Sequence, residues 1–462
     1  YDLLDDQARI LFKRLSVFAG GWDLEAAEAI CSEQEMCADP LGQLVEQSLV
    51  VFGSDPENKR YRMHETIRQF AREQLHASGE EPVVLEKHAR YYEQVVRKAV
   101  EKTGEISRPD SLRQLHGDHD NLWAALAWAL DHNHALALQM AADLGAELKF
   151  WELAGFFKEG RHWLTRILET TSDMVSLPRA RALLAAAELS SAMSDLEYGQ
   201  VCAEESWHLF HQLGDLRGEV DARLASAELA YFQGSYADLA ALLNETMAIA
   251  GEIGYTTGLA KGGRLLGKLV SINQQYEQSI QHLVRSTALW RELDQPYELA
   301  VALNTLADSL IKNHQYADAR EILQETVEIN RSLGYQRGVA HALQNLGEVA
   351  TELKEFTRAR ELFHESLSIR RDLGLRRGYA YSFEGLAHLA EQENQVARAI
   401  QLFAAAQTLR LLIGAPLDAD VQEQYTQTLV NLRARLGDVY YDTQWSKGAT
   451  LTTEQAIALA LS

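Results

Sequence analysis

From about Leu213 to Ile413 the chain repeats itself every 40 residues, and that period limits its fold more than any other feature. The pairs Leu213-Gly214, Ile253-Gly254, Leu293-Asp294, Leu333-Gly334, Leu373-Gly374 and Ile413-Gly414 stand at this interval. A second phase holds Tyr236, Tyr276, Tyr316, Phe356 and Val396, and a third holds Ala227, Gly267, Ala307, Gly347 and Ala387. Leu243, Leu283, Leu323, Phe363 and Phe403 keep a fourth. A fixed period of this length marks stacked supersecondary units, each burying its apolar face on its neighbours.

Within one unit the apolar residues fall at helical spacing twice. Val339, Leu343, Leu346 and Val349 form one set, and Ala359, Leu362, Phe363 and Leu367 the other. The polar break from Thr351 to Phe356 separates them, and Leu373-Gly374 closes the second helix, because glycine tolerates the left-handed cap. Each unit is therefore an antiparallel helix pair. Gly347 and Ala359 sit where the two backbones approach, and Ser366 is the small residue expected to meet the next repeat. Small, aromatic, small at these offsets resembles the tetratricopeptide repeat, lengthened from its usual length of about 34 residues.

At 462 residues the chain exceeds one ordinary core, and 47% apolar residues with only 7 prolines favour a long helical array. A net charge of −22 argues against nonspecific binding to nucleic-acid phosphates or anionic membrane. Cys31, Cys37 and Cys202 form no metal-type cluster. Cys31 and Cys37 are close enough in sequence to pair, but a reduced cytoplasmic chain is the expectation. No signal peptide and no apolar run of membrane-spanning length is apparent. The chain starts at Tyr1 and enters a helix at once, like a piece of something longer.

Residues 1–80 have a different texture. The pattern predicts a helix around Ala8 to Leu15, a second from Trp22 to Ile30 capped by Asp23, and a third from Leu41 to Glu46. Strands follow at Ser48 to Phe52 and Arg60 to Met63, joined by a Gly53 to Asn58 turn, and then a helix from His64 to Leu75. This is winged-helix order. Three stretches here, Leu15 to Trp22, Leu44 to Val50 and Tyr61 to Ala71, resemble the winged-helix region of STAND signal-transduction ATPases. More narrowly, they are similar to bacterial AfsR- and LuxR-type regulators. The resemblance implies an NTPase module ahead of the winged helix, with ADP or ATP as its cofactor and none in this chain. It also implies that Met63, His64 and Glu65 stand where the family carries a Met-His-Asp motif whose histidine contacts the nucleotide. Glu65 departs from that motif by one methylene. The segment around Leu41 to Glu46 lacks the basic residues of a DNA-reading helix, so no direct nucleic-acid contact is expected.

Residues 81–134 read as a helical bridge and 135–213 as degenerate helix pairs, followed by regular repeats over 214–414 and a cap over 415–462. In the bridge, Asp120-Asn121-Leu122 with Trp128 also looks like the family. His116, His119, His132 and His134 lack the i, i+4 spacing of paired zinc ligands and read as surface and turn residues. Gly262 to Lys268 imitates a P-loop, but Leu269 stands where magnesium binding needs Ser or Thr, and the segment lies in a repeat helix. At the end, Tyr425 to Leu436 reads as a helix stopped by Gly437, and Trp445 to Glu454 leads into a last helix capped by Thr452 or Thr453; this segment resembles a tryptophan-glycine-leucine turn common at the ends of the family's proteins.

The expected fold is thus mostly α, an N-terminal winged helix followed by an α-solenoid. Tetratricopeptide superhelices bind on the concave face, which the first helices line. Register places Lys261, Arg264 and Lys268 at a basic end of that groove and Glu348 and Glu384 at an acidic end. Asn304, Asp308, His341, Gln344, Tyr381 and His388 share the same rows. A groove of this kind suits a protein, peptide or small-molecule effector. No nucleophile–base pair, metal cluster or paired carboxylates mark the chain as an enzyme. The reading is a sensor whose effector frees the NTPase module for nucleotide exchange and oligomerisation. The alternative is a constitutive interaction scaffold without a switch.

Overall fold

The computed structural model describes residues 1, 4–31, 38–53, 60–102, 108–414, 417 and 419–462. The chain forms two compact units, one of Tyr1–Phe150 with Glu159–Ala182 and one of Trp151–Lys158 with Leu183–Ser462.

The first unit opens with α1 (Asp6–Arg14), a 3-10 turn (Leu15–Val17), α2 (Leu24–Cys31) and α3 (Ala38–Glu46). Asp23 accepts from the Ala26 N–H at 2.8 Å, the cap that its position predicted. Two short antiparallel strands follow, β1 (Val51–Phe52) and β2 (Tyr61–Arg62). Trp22 adds a bridge to Tyr61. The predicted turn from Gly53 to Asn58 falls mostly outside the described residues, as does Cys37. After α4 (Glu65–Ala77) and α5 (Glu81–Glu101) come α6 (Arg108–Gly117), α7 (His119–His132) and α8 (His134–Ala142), then a π-helical turn, Asp143–Glu147.

The bridge motif has a definite structural task within this unit. Asn121 is fully buried; its Oδ1 accepts from the Ala19 N–H at 2.9 Å and its Nδ2 donates to the Gly21 carbonyl at 2.9 Å. Arg60 donates to the Gly21 carbonyl and to Asp118. At Gly20 a side-chain Cβ would come within 2.9 Å of Asp120, so glycine is required for the close approach. His88 is buried beside Asn121, and burial lowers its pKa to about 4. A loop with no secondary structure of its own is thereby held by α5 and α7.

Next come α9 (Phe150–Leu153), α10 (Phe157–Thr170), α11 (Leu177–Met193) and α12 (Leu196–Leu213). The regular pairs are α13 (Leu216–Phe232) with α14 (Leu239–Glu252), α15 (Thr256–Ile272) with α16 (Tyr276–Glu292) and α17 (Pro296–Lys312) with α18 (Tyr316–Ser332). They continue in α19 (Gln336–Glu352) with α20 (Phe356–Asp372) and α21 (Arg376–Gln392) with α22 (Val396–Ile413). These are the first to fifth repeats. Leu243, Leu283, Leu323, Phe363 and Phe403 are completely buried. A Cβ on Gly347 would meet the Phe363 ring at 2.7 Å, which explains the small residue in that phase. Ser286 and Ser366 behave differently from expectation: their hydroxyls donate to the Ala260 and Ala340 carbonyls, each at 2.7 Å, inside their own repeat.

Both turns of each repeat pass through the left-handed region. The Leu-Gly glycines do so, and so does Asp294 (φ 51°) in the place of one of them. The turn between paired helices uses Gln274, His314, Lys354 and Asn394 at φ values of 59° to 62°, where Gly234 stands in the first repeat. The expectation of no span-length apolar run meets one exception: α22 is long and apolar enough to cross a membrane. It is apolar because it is packed on two sides, by α21 and by the cap helices α24 (Asp438–Ala449) and α25 (Thr453–Leu461). The cap also contains α23 (Ala419–Leu436). Trp445 to Ala449, expected in a turn, finish α24, because Gly448 lets that helix lie on the Gln401 backbone, 2.2 Å from where a Cβ would be. Thr452 and Gln455 form a capping box on α25.

Candidate functional site

Each first helix of a repeat presents a stripe of polar residues, and hydrogen bonds join the stripes of successive repeats. At the basic end Lys261 donates to Asp221 at 3.0 Å and lies 3.8 Å from Glu188. Arg264 makes a two-pronged pair with Glu228, both bonds 3.0 Å. Lys268 sits 3.8 Å from Glu228 and over the Tyr231 and Phe232 rings, at 4.1 and 4.3 Å. Burial alone raises the Glu228 pKa, but Arg264 and Lys268 outweigh it and hold the carboxyl at about 2. The sequence expected a positive pole here. The structure corrects that, since Asp221, Glu188 and Glu228 neutralise the three cations.

The far end is also altered. Glu384 is taken by Arg410, at 2.6 and 2.8 Å, and Arg410 lies 4.5 Å above the Tyr381 ring. His388 packs edge-on to Phe403 at 5.0 Å, and burial lowers its pKa to about 4. Glu348 accepts from Gln344 at 3.1 Å, and burial raises its pKa.

The least satisfied part lies between these ends. Asp308 accepts from Asn345, and burial pushes its carboxyl up to about 7, with Lys312 and Lys268 pulling it down and Glu348 pushing it further up. His341 is exposed on the stripe yet closely surrounded by protein; that environment, with Arg370, Arg337 and Lys268 around it, lowers its pKa to about 3. Asn304 is 5% exposed, and its Oδ1 has no hydrogen-bond partner. Gln344 donates to the Tyr381 carbonyl at 3.1 Å and accepts from Arg370 at 3.3 Å. Arg370 otherwise donates to the Gly378 carbonyl and the Ser382 hydroxyl, all neutral acceptors, and burial lowers its pKa to about 10.

A rule emerges that sequence reading missed. A first-helix residue meets the second-helix residue 26 positions later: Gln344 with Arg370, Glu384 with Arg410. The equivalent positions in the third repeat are Asn304 and Asn330. Asn330 is 1% exposed, and both its amide atoms lack partners. The spacing is readable in the sequence once the helix pairing is known. Arg377, on the fifth repeat, lies 4.9 Å over the Phe232 ring of the first.

The nucleotide-sensing positions lie in the first unit. His64 is the N-cap of α4 and is exposed, with no capping bond from its side chain. Met63 is half-buried, and Glu65 is exposed and held by Arg68 at 2.7 and 2.9 Å. This hydrogen bond lowers the Glu65 pKa. Among the described residues, α3 carries no Lys or Arg.

The molecule therefore combines a winged-helix domain with a tetratricopeptide superhelix. Residues 4–76 match the winged helix-turn-helix domain family and residues 298–372 the tetratricopeptide repeat family. A Mycobacterium tuberculosis protein with the provisional name HTH-type transcriptional regulator is 31% identical over 228 residues, covering 46% of this chain and 25% of that protein. An uncharacterized protein of Mycobacterium tuberculosis is 37% identical over 103 residues, covering 21% of this chain and 26% of that one. The chain thus spans about a quarter of the length of these curated relatives. Among solved structures, a STAND protein with a tetratricopeptide repeat sensor from Pyrococcus horikoshii aligns over 95% of this chain and 66% of its own. Its TM-score is 0.54 at 14% identity. A Rap conjugation gene regulator of plasmid pLS20, in complex with the Phr* peptide, aligns over 70% of this chain and 96% of its own, with TM-score 0.51 at 11% identity. The last two likenesses concern the fold alone. The winged-helix and tetratricopeptide readings of the sequence agree with these findings, and the two domain types found are non-catalytic.

Proposed function

We propose that this chain is the sensor region of a STAND-type regulator, without catalysis of its own. Its repeat groove takes up a protein, peptide or small-molecule effector, and the winged helix passes the event to an NTPase module that holds ADP or ATP. The observation that carries this reading is the middle of the groove, where Asn304 keeps an unmet acceptor beside the exposed His341 stripe while both ends are closed by ion pairs. Buried polar atoms left without partners are costly, and a ligand that supplies donors recovers that cost. The sensor in the Pyrococcus protein and the peptide in the Rap complex support the same reading. His64, exposed at a helix N-terminus, supports the nucleotide part of the reading, since helix N-termini favour anions. No DNA contact is assigned to the winged helix, since α3 offers no cation.

An effector moves such an equilibrium only by preferring one state. The test is ADP binding, by calorimetry, to the full-length protein and its His64→Ala variant. The sensor reading expects the variant to bind ADP at least about tenfold more weakly, a loss of about 1.4 kcal/mol. Equal affinity, or no nucleotide binding by the full-length protein, overturns it in favour of a constitutive scaffold.

A further inference from the structure

The Trp151–Lys158 segment lies with the repeats although it precedes them by many residues. Three of its residues touch the first-helix stripes or the turn beside them. The Glu152 carboxylate accepts from the Tyr297 hydroxyl at 2.6 Å. The Phe157 ring lies under the Arg337 guanidinium at 5.9 Å. Gly155, at φ 77°, turns so closely over Leu373 that a Cβ would come within 3.3 Å of it. Trp151 and Phe157 are buried, at 1% and 6% exposure.

The receiving residues belong to the groove. Arg337 is one turn ahead of His341 on α19, and Tyr297 two turns ahead of Asn304 on α17, so each shares a face with a groove residue. Tyr297 and Arg337 occupy the same position in consecutive repeats. Tyr297 and Tyr335 pack edge to face at 5.1 Å and form one wall. Burial lowers the Arg337 pKa, but Tyr335, Glu152 and Tyr297 together raise it, so the Glu152 charge is felt at the groove cation.

We propose that Trp151–Lys158 is a tethered pseudo-ligand of the repeat groove, and that the effector is a peptide with a carboxylate and, five residues on, an aromatic ring, which displaces it. This rests on the groove reading above and adds the ligand class and the means of control. A carboxylate meets Tyr297 and the field of Arg337, and an aromatic face meets the Arg337 guanidinium. The tether gives the internal copy an effective concentration of about a millimolar, so an external peptide competes only when it binds more tightly or when the segment is loosened.

The probe is a fluorescein-labelled synthetic peptide with the sequence of residues 150–158, measured by anisotropy against the whole chain. Against wild type it binds weakly. Against the Glu152→Ala/Phe157→Ala double variant it binds at least about tenfold more tightly, and adding Arg337→Ala abolishes the gain. Circular dichroism and a melting curve establish that each variant is folded. In wild type, saturating peptide accelerates hydrogen exchange at residues 151–158 while α13–α22 stay protected. A folded double variant that binds no more tightly than wild type overturns the proposal, as does unchanged exchange at 151–158 under saturating peptide. Those failures leave the sensor reading to the ADP measurement. Conversely, peptide binding that follows this pattern while ADP affinity ignores His64 overturns the sensor reading and keeps the pseudo-ligand.

Discussion

The slot that joins a first-helix residue to one 26 positions later holds Glu384 and Arg410 in the fifth repeat and Asn304 and Asn330 in the third. The positions are equivalent in the repeat, yet the outcome is opposite. In the fifth repeat the side chains are 12% and 6% exposed and form two short charge-assisted bonds. In the third, Asn304 Oδ1 and both Asn330 amide atoms are buried without partners, and Asp308 one turn on holds a proton-favouring environment. A repeat scaffold fixes where side chains meet but not whether they satisfy one another. The fifth repeat is finished by its own residues; the third leaves three buried polar atoms unmet.

The contrast is broken most severely at its closed end. Arg410→Ala leaves the Glu384 carboxylate buried without its guanidinium, and we expect a loss of about 3–5 kcal/mol. It is read as a lowered urea midpoint together with faster hydrogen exchange in α21 and α22. The next effect concerns pH. The Asp308 pKa of about 7 lies above its ordinary value of 3.8, so the folded protein keeps a proton that the unfolded chain releases between those values. Stability from this group is present below about pH 4, falls as pH rises to about 7 and is level beyond. Asp308→Asn removes that slope, so at pH 7.5 the variant exceeds wild type by up to about 4 kcal/mol relative to the difference at pH 4. Urea titrations of both proteins across the range check it. The smallest effect sharpens the comparison from the other side. Asn330→Leu replaces two orphan polar atoms by apolar ones of similar volume and raises stability by about 1 kcal/mol, visible as a higher urea midpoint. A destabilised Asn330→Leu protein would mean that the amide is satisfied after all.

Much of the repeat architecture was legible in the sequence because it is periodic. The left-handed glycines, the small residues against Leu283 or Phe363 and the polar first-helix stripes all recur at a fixed interval. The winged helix was legible from its order of apolar runs and from the Asp23 cap. What could not be read was pairing. Glu228 finds Arg264 in the next repeat, and Lys261 finds Asp221, because neighbouring first helices run side by side. Charge counted along the sequence therefore suggested poles that the folded protein cancels. The reach of Glu152 to Tyr297, 145 residues away, has no periodic signature at all. Asn121 was quoted as part of a motif, but its grip on Ala19 and Gly21 depends on a loop whose course only the fold defines.

The contact between Arg377 and Phe232 bears on time rather than on strength. The two residues stand in the fifth and first repeats, so any opening that separates those repeats has first to part a cation–π contact worth about 1 kcal/mol. A contact of that size slows such an opening about fivefold.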